Sequence, residues 1–215
     1  MKDGFLLMAA GMVLVTVLLG YFLGCLNGSV MVSHFIIRDD VRQHGSGNAG
    51  LTNFYRTYGA KYALGVILFD MGKTVIACLL GGFLLRHGLG DWTLGVLIGG
   101  LGCELGHMFP VFFGFKGGKG ILCSGTLLLL LDWRIAAVGW GLFALLWLTT
   151  RYVSLGSVSG AVSFPVTTLI FCPGNWTVFV LSLLIAALVI WAHRENISRL
   201  LHGTESRFRW HKDAP

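Results

Sequence analysis

The chain has 215 residues, of which 55% are hydrophobic and only 12% charged, with a mean hydropathy of +0.75. A water-soluble domain carries roughly twice that charged fraction, so the composition excludes an ordinary soluble globule and leaves a bilayer as the solvent for the apolar surplus. The formal net charge of +6 points to a charged membrane face rather than to nucleic acid.

A membrane helix needs about 20 mostly apolar residues to cross a core of about 30 Å. Segments of this kind are expected near 4–26, 61–85, 92–113, 121–131, 134–150, 155–172 and 176–192, giving an all-α, polytopic membrane protein of about seven spans in a single domain, 1–215. Lys2 and the apolar run from Phe5 have the look of a signal peptide, but the run is too long and has no small-x-small cleavage site, so it reads as an uncleaved helix. That run continues to Ile37, and a bend is expected near Asn27-Gly28-Ser29. The segment 121–131 is short; it either borrows residues from the loop before it or dips in without crossing. The 31 glycines suit close helix packing in lipid. Cys25, Cys78, Cys103, Cys123 and Cys172 lie far apart in apolar sequence and read as filler, without a disulfide framework. No internal repeat is visible.

With seven spans, Arg38, Arg42, Arg56, Lys61, Lys116, Lys119, Arg151, Arg194, Arg199, Arg207, Arg209 and Lys212 fall on one side, against Lys2, Arg86 and Arg134 on the other. The positive-inside bias puts the C-terminus and the basic tail 193–215 in the cytoplasm and the N-terminus outside. A five-span arrangement would keep the same ends.

The polar motifs gather on that basic side. His44–Arg56 packs three glycines, two asparagines, a serine, a threonine and an arginine into thirteen residues, a density of donors suited to an anion. Gly106–Gly120 carries Lys116-Gly117-Gly118-Lys119, which has the look of a phosphate cradle. It is no Walker A loop, because Phe113 and Gly120 stand where that motif needs Gly and Ser or Thr. A third polar stretch is Arg151–Gly160. The fourth is the helix exit from His193, in which His193 and Asn196 share a face. Inside a span, Asp70 and Lys73 sit three apart on one face, either a structural pair beneath the site or part of it. Glu104-x-x-His107 has the spacing of a di-metal helix bundle, but one copy without further carboxylates gives no metal site. His34 and Asp39 have the spacing of a His–Asp acyltransferase motif without its surrounding signature.

Five blocks, in order, resemble the bacterial membrane acyl-phosphate:glycerol-3-phosphate acyltransferases. They are Ser46-Gly-Asn-Ala-Gly-Leu-Thr-Asn53 with Arg56; Gly106-His-Met-Phe-Pro110; Gly114-Phe-Lys-Gly-Gly-Lys-Gly120; Arg151-Tyr-Val-Ser-Leu-Gly-Ser157; and His193-Arg-Glu-Asn-Ile-Ser-Arg-Leu200. Asp70 and Lys73 also match an Asp-x-x-Lys pair of that family. Departures are Leu51 for Ala, the bulky Phe54-Tyr55, and Ile121-Leu122-Cys123 for a Val-Ala-Thr type sequence. The resemblance implies a bacterial inner-membrane enzyme, with its site on the cytoplasmic face and no cofactor. Its reaction would be long-chain acyl phosphate plus sn-glycerol 3-phosphate giving 1-acyl-glycerol 3-phosphate and phosphate, the first acylation of phospholipid synthesis. A soluble acyl-phosphate-producing enzyme is an expected transient partner.

On this reading Ser46, Gly47, Asn48, Asn53 and Arg56 hold one phosphate, and Lys116, Gly117, Gly118 and Lys119 hold the other, with the assignment of the two left open. His193 and Asn196 position the glycerol hydroxyl, Arg151 and Ser154 line the site, and His193 or the glycerol phosphate accepts the proton. Ser46 as an acyl-carrying nucleophile is the competing idea. Glu195 is expected to pair with an arginine. The alternatives from other classes are a small anion or lipid transporter with a basic vestibule, and a non-catalytic lipid-binding scaffold.

Overall fold

The computed structural model describes residues 2–209. The regular elements among the described residues are all helical, in the order α1 (Lys2–Cys25), α2 (Gly28–Met31), a π-helical turn (Val32–Ile37), α3 (Leu51–Tyr58), α4 (Ala60–Leu89), α5 (Trp92–Met108), α6 (Ile121–Leu131), α7 (Trp133–Thr150), α8 (Val153–Phe171), α9 (Trp176–Ala192) and α10 (Arg194–Leu201). Five spans are long and apolar enough to cross a membrane by themselves, and α9 with α10, bent by 61° at their junction, makes a sixth. The 11-residue α6 is shorter than these, with the bounds expected from its apolar run. Lys212 in the basic tail lies outside the described residues.

Local chemistry sets the ends. Asp91, Asp132 and Asn175 cap α5, α7 and α9 by accepting from Leu94, Arg134 and Val178 N–H groups, which would otherwise be orphaned at the first turn. Asn27 does the same for α2, accepting from Val30, so the first apolar run breaks at Leu26–Asn27 as its Asn-Gly-Ser sequence suggests.

Two groups of helices result. α1, α4 and α5 pack on one another, α7, α8 and α9 form a second group, and α6 bridges them. Leu97, Leu101, Leu127, Ile135, Phe164 and Ile185 fill the space between. Glycine allows the closest approaches: a Cβ at Gly24 would land on the Cys103 carbonyl, one at Gly106 on the Tyr21 carbonyl, and Gly81 and Gly95 face each other in the same way. Cys123, at the position of the resemblance's threonine, packs with Ala77 and Cys103, and all five cysteines are free thiols. Outward, α4 and α7–α9 present Leu68, Leu148, Ile170 and Val180, a surface suited to lipid.

Gly106→Ala is therefore expected to destabilise the protein by about 1–3 kcal/mol, because backbone rather than a flexible side chain must move. Gly141, with open space around it, is the control. The measurement is the apparent Tm of both variants in mild detergent; equal shifts would refute the close-packing account.

Candidate active site

The loops at one set of helix ends are tied together. Arg42 Nη1 donates to the Phe113 carbonyl at 2.6 Å, and Ala49 N–H to that of Gly117 at 3.3 Å. Lys119 Nζ donates to Asn196 Oδ1 on α10, and Ser154 Oγ to Glu205 Oε1 at 2.7 Å. They surround a cavity of about 1870 Å³, counting its open mouth. Its lining has a polar part, with Ser46, Asn48, Arg56, Lys119, Ser154, His193, Asn196 and Arg199, and an apolar part, with Ile67, Met71, Leu122, Trp140, Phe143 and Trp147. A smaller apolar slot of about 460 Å³ between α6, α7, α8 and α9 shares Ile121, Trp140, Phe143 and Ser157 with it.

The Ser46 loop is wound around one side chain. Asn53 Oδ1 accepts from the Ser46 N–H at 3.0 Å, while its Nδ2 lies 3.0–3.1 Å from the carbonyls of Val41, His44 and Asn48. Gly45 and Gly47, at φ 56° and 69°, let the backbone turn about it. Asn53 thus shapes the loop, and Ser46 and Asn48 reach the cavity with it. Gly47 falls outside the lining. His44 pairs with Asp39 at 2.8 Å, and Tyr58 donates to the same carboxylate at 2.9 Å. The His44 bond holds the Asp39 carboxyl below its usual range, and burial with the Asp39 bond pushes the Tyr58 hydroxyl up to about 12. His34 is exposed against Phe35, so the His34–Asp39 spacing corresponds to no contact.

The lysine–glycine loop differs from the expected cradle. Gly118 N–H donates to the His107 carbonyl at 3.1 Å and is not available to an anion. The Gly117 carbonyl takes Ala49 N–H and, at 3.4 Å, Asn48 Nδ2. A Cβ at either glycine would collide with His107, so the pair is a packing device. Lys116 is exposed and outside the lining, whereas Lys119, half-buried, enters the cavity. Burial, with Arg199 nearby, lowers the Lys119 pKa below the ordinary lysine value. The positive φ of Gly120, 80°, turns the chain into α6 immediately after it.

His193 sits at the 61° junction of α9 and α10. Its Nδ1–H donates to the Val189 carbonyl at 2.8 Å, leaving Nε2 as the acceptor nitrogen of the neutral ring. Arg151 does not line the cavity: it ends α7 at φ 63°, and its carbonyl takes the Phe208 N–H at 2.7 Å. Beneath the site, Lys73 Nζ lies 2.7 Å from Asp70 Oδ1 and donates to the Gly24 and Leu26 carbonyls at 3.0 Å and to His107 Nδ1 at 3.1 Å. Asp70 and His107 touch the cavity and Lys73 does not. Glu104, the other half of the Glu-x-x-His spacing, instead accepts from Ser124 at 2.7 Å.

Three further side chains contribute to the site: His107 and Arg199, which lie within the resembling blocks without an assigned role, and Glu205, which lies beyond them. Glu205 accepts from Ser154 and Asn196 at one oxygen and from Arg199 at the other, all at 2.7 Å. Burial raises its pKa, but those three bonds outweigh it and hold the carboxyl below its usual range. Its only sequence signal is an acidic residue among tail arginines.

A helical membrane bundle with a cationic, donor-rich pocket opening onto an apolar wall defines a multi-pass protein for amphiphiles with anionic head groups. Within that class the chain belongs to the glycerol-3-phosphate acyltransferase family, whose profile matches residues 14–203. It is 38% identical over 192 residues to the glycerol-3-phosphate acyltransferase of Thermoanaerobacter pseudethanolicus, covering 89% of this chain and 93% of that one. It is 41% identical over 197 residues to that of Shouchella clausii, covering 89% and 94%. The crystal structure of PlsY, an integral membrane glycerol 3-phosphate acyltransferase, in its glycerol 3-phosphate form superposes with a TM-score of 0.80 at 35% identity, over 92% of this chain and 96% of that one. Its lysophosphatidic acid form gives 0.78 at 33%.

Proposed function

We propose that the chain transfers an acyl group from a long-chain acyl phosphate to sn-glycerol 3-phosphate, releasing 1-acyl-glycerol 3-phosphate and inorganic phosphate. The observation that carries this is the joining, in one cavity, of His193 and the donors Arg56, Lys119, Ser154, Asn196 and Arg199 to a wall of aromatic and aliphatic side chains. Such a site holds two phosphates at its polar part and an acyl chain along the apolar part.

The glycerol hydroxyl oxygen attacks the acyl carbonyl carbon. The new C–O ester bond forms as the bond to the phosphate oxygen breaks, and phosphate leaves with the electron pair. The hydroxyl proton goes to His193 Nε2, whose lone pair the Val189 carbonyl exposes by engaging Nδ1–H. Lys119 and Arg56 offset the charge that builds on the phosphates. Acyl phosphates are already activated, so positioning and electrostatics supply much of the acceleration without a covalent intermediate on Ser46, whose role is to help hold phosphate together with Asn48. Asp70 and Lys73 support the site from beneath. Lys116, exposed, contributes charge to the membrane face.

The same reading places seven spans in a bacterial inner membrane, the N-terminus outside, and the C-terminus and site in the cytoplasm, as the distribution of lysine and arginine favours. A soluble enzyme that makes the acyl phosphate then delivers it transiently at this face.

The test uses purified protein in lipid, with palmitoyl phosphate and glycerol 3-phosphate, following both products by mass spectrometry. One lysophosphatidic acid per phosphate is expected. Turnover with palmitoyl-CoA and none with palmitoyl phosphate would overturn the donor assignment, and uptake without product would favour a carrier.

A further inference from the structure

The chain beyond α10 turns back across the cavity. Glu205, Ser206 and Phe208 line it. The segment is held at both ends: the Thr204 N–H donates to the Arg199 carbonyl at 2.8 Å, the Phe208 N–H donates to the Arg151 carbonyl at 2.7 Å, and the Phe208 ring lies 5.2 Å from that of Tyr55 and 5.4 Å from that of Trp147. Arg56 Nη2 reaches the Ser206 carbonyl at 3.4 Å. Between these anchors the Glu205 carboxylate takes up Ser154 Oγ, Asn196 Nδ2 and Arg199 Nε, and Lys119 is bound to the same Asn196. Three converging donors and nearby cations are what a phosphate monoester requires. The family profile ends at residue 203, immediately before this segment.

We propose that residues 204–209 are a tethered competitor, in which Glu205 occupies the donors used by a substrate phosphate and glycerol 3-phosphate binds by displacing it. This rests on the reading of the cavity as a phosphate site. A phosphate dianion carries more charge and more acceptor oxygens than a carboxylate, so the exchange favours substrate once it is abundant. The tether gives Glu205 an effective concentration of order mM, so the strap raises the concentration of substrate needed without blocking the site.

The test compares wild type with Glu205→Gln, Phe208→Ala and a chain ending at Gly203, each in lipid with palmitoyl phosphate saturating. The expected result is a fall of about threefold to tenfold in KM for glycerol 3-phosphate in all three, from loss of a charge-assisted set of bonds or of its anchor. A fall confined to the KM for palmitoyl phosphate would assign the displaced phosphate to the acyl donor instead and overturn the assignment to glycerol 3-phosphate. A KM that rises or stays unchanged in both point variants would overturn the proposal, whether or not the shortened chain folds. Trypsin cleavage after Arg207 in the full chain supplies an independent reading: saturating glycerol 3-phosphate should accelerate it, and protection would count against displacement. Arg56→Ala separates the two levels. If it leaves turnover unchanged, the cavity reading itself fails; if it abolishes turnover while the point variants raise KM, only the strap fails.

Discussion

Lys119→Met is expected to lower kcat/KM for glycerol 3-phosphate by about a hundredfold or more, while Lys116→Met stays within about threefold of wild type. The two lysines bracket the same glycine pair, yet only Lys119 enters the cavity and bonds to Asn196; Lys116 is exposed. A cation preorganised at a water-poor wall stabilises developing phosphate charge far more than a solvated one. The charged form does this work, and the surroundings of Lys119 lower its pKa, so the rate should fall as pH rises through a value below the ordinary lysine range. Lys119→Arg should move that alkaline limb upward. Steady-state kinetics across pH checks both points; equal losses in the two methionine variants would contradict the placement.

Lys73→Met is expected to cost about 3–5 kcal/mol of stability, the largest loss of any single change considered. The ammonium and the Asp70 carboxylate are almost wholly buried, 4% and 1% exposed, and 2.7 Å apart. Removal of Lys73 leaves the Asp70 carboxylate with only the Gly28 N–H at 3.0 Å and His107 at 3.6 Å, and leaves the Gly24 and Leu26 carbonyls, at the end of α1, without their donor. Asp70→Asn combined with Lys73→Met removes both charges and should recover part of the loss. Denaturant unfolding in mild detergent measures this; a double variant no better than Lys73→Met would mean that the pair is not the source of the cost.

The helices were largely legible because their signals are local. Apolar runs of span length give bounds close to those observed for α4 to α9, and Asn27 marks the break after α1. The cavity was legible only as a set of residue types. Nothing in Lys-Gly-Gly-Lys tells which lysine turns inward; that follows from the packing of the glycines on His107 and from the turn at Gly120. Arg151 looked like an anion ligand, but its contribution is a backbone carbonyl at a left-handed helix end, which side-chain identity does not reveal. Glu205 was hidden for the opposite reason, since a polar tail reads as solvated until the fold brings Ser154, Asn196 and Arg199 to it. The reactive part of the molecule depends on such long-range meetings, the helices on neighbours a few residues away.

The shortness of α6 has a bearing on the depth of the cavity. Eleven residues span about 17 Å, little more than half of a hydrocarbon core of about 30 Å. Its longer neighbours enclose it: only Leu129 of α6 is exposed, and its start at Gly120 is buried. Lys119 and the cavity wall at Ile121 and Leu122 stand at that start. The cavity wall begins where this short helix begins, so the length of α6 sets how deep Lys119 stands relative to the ends of the longer helices around it.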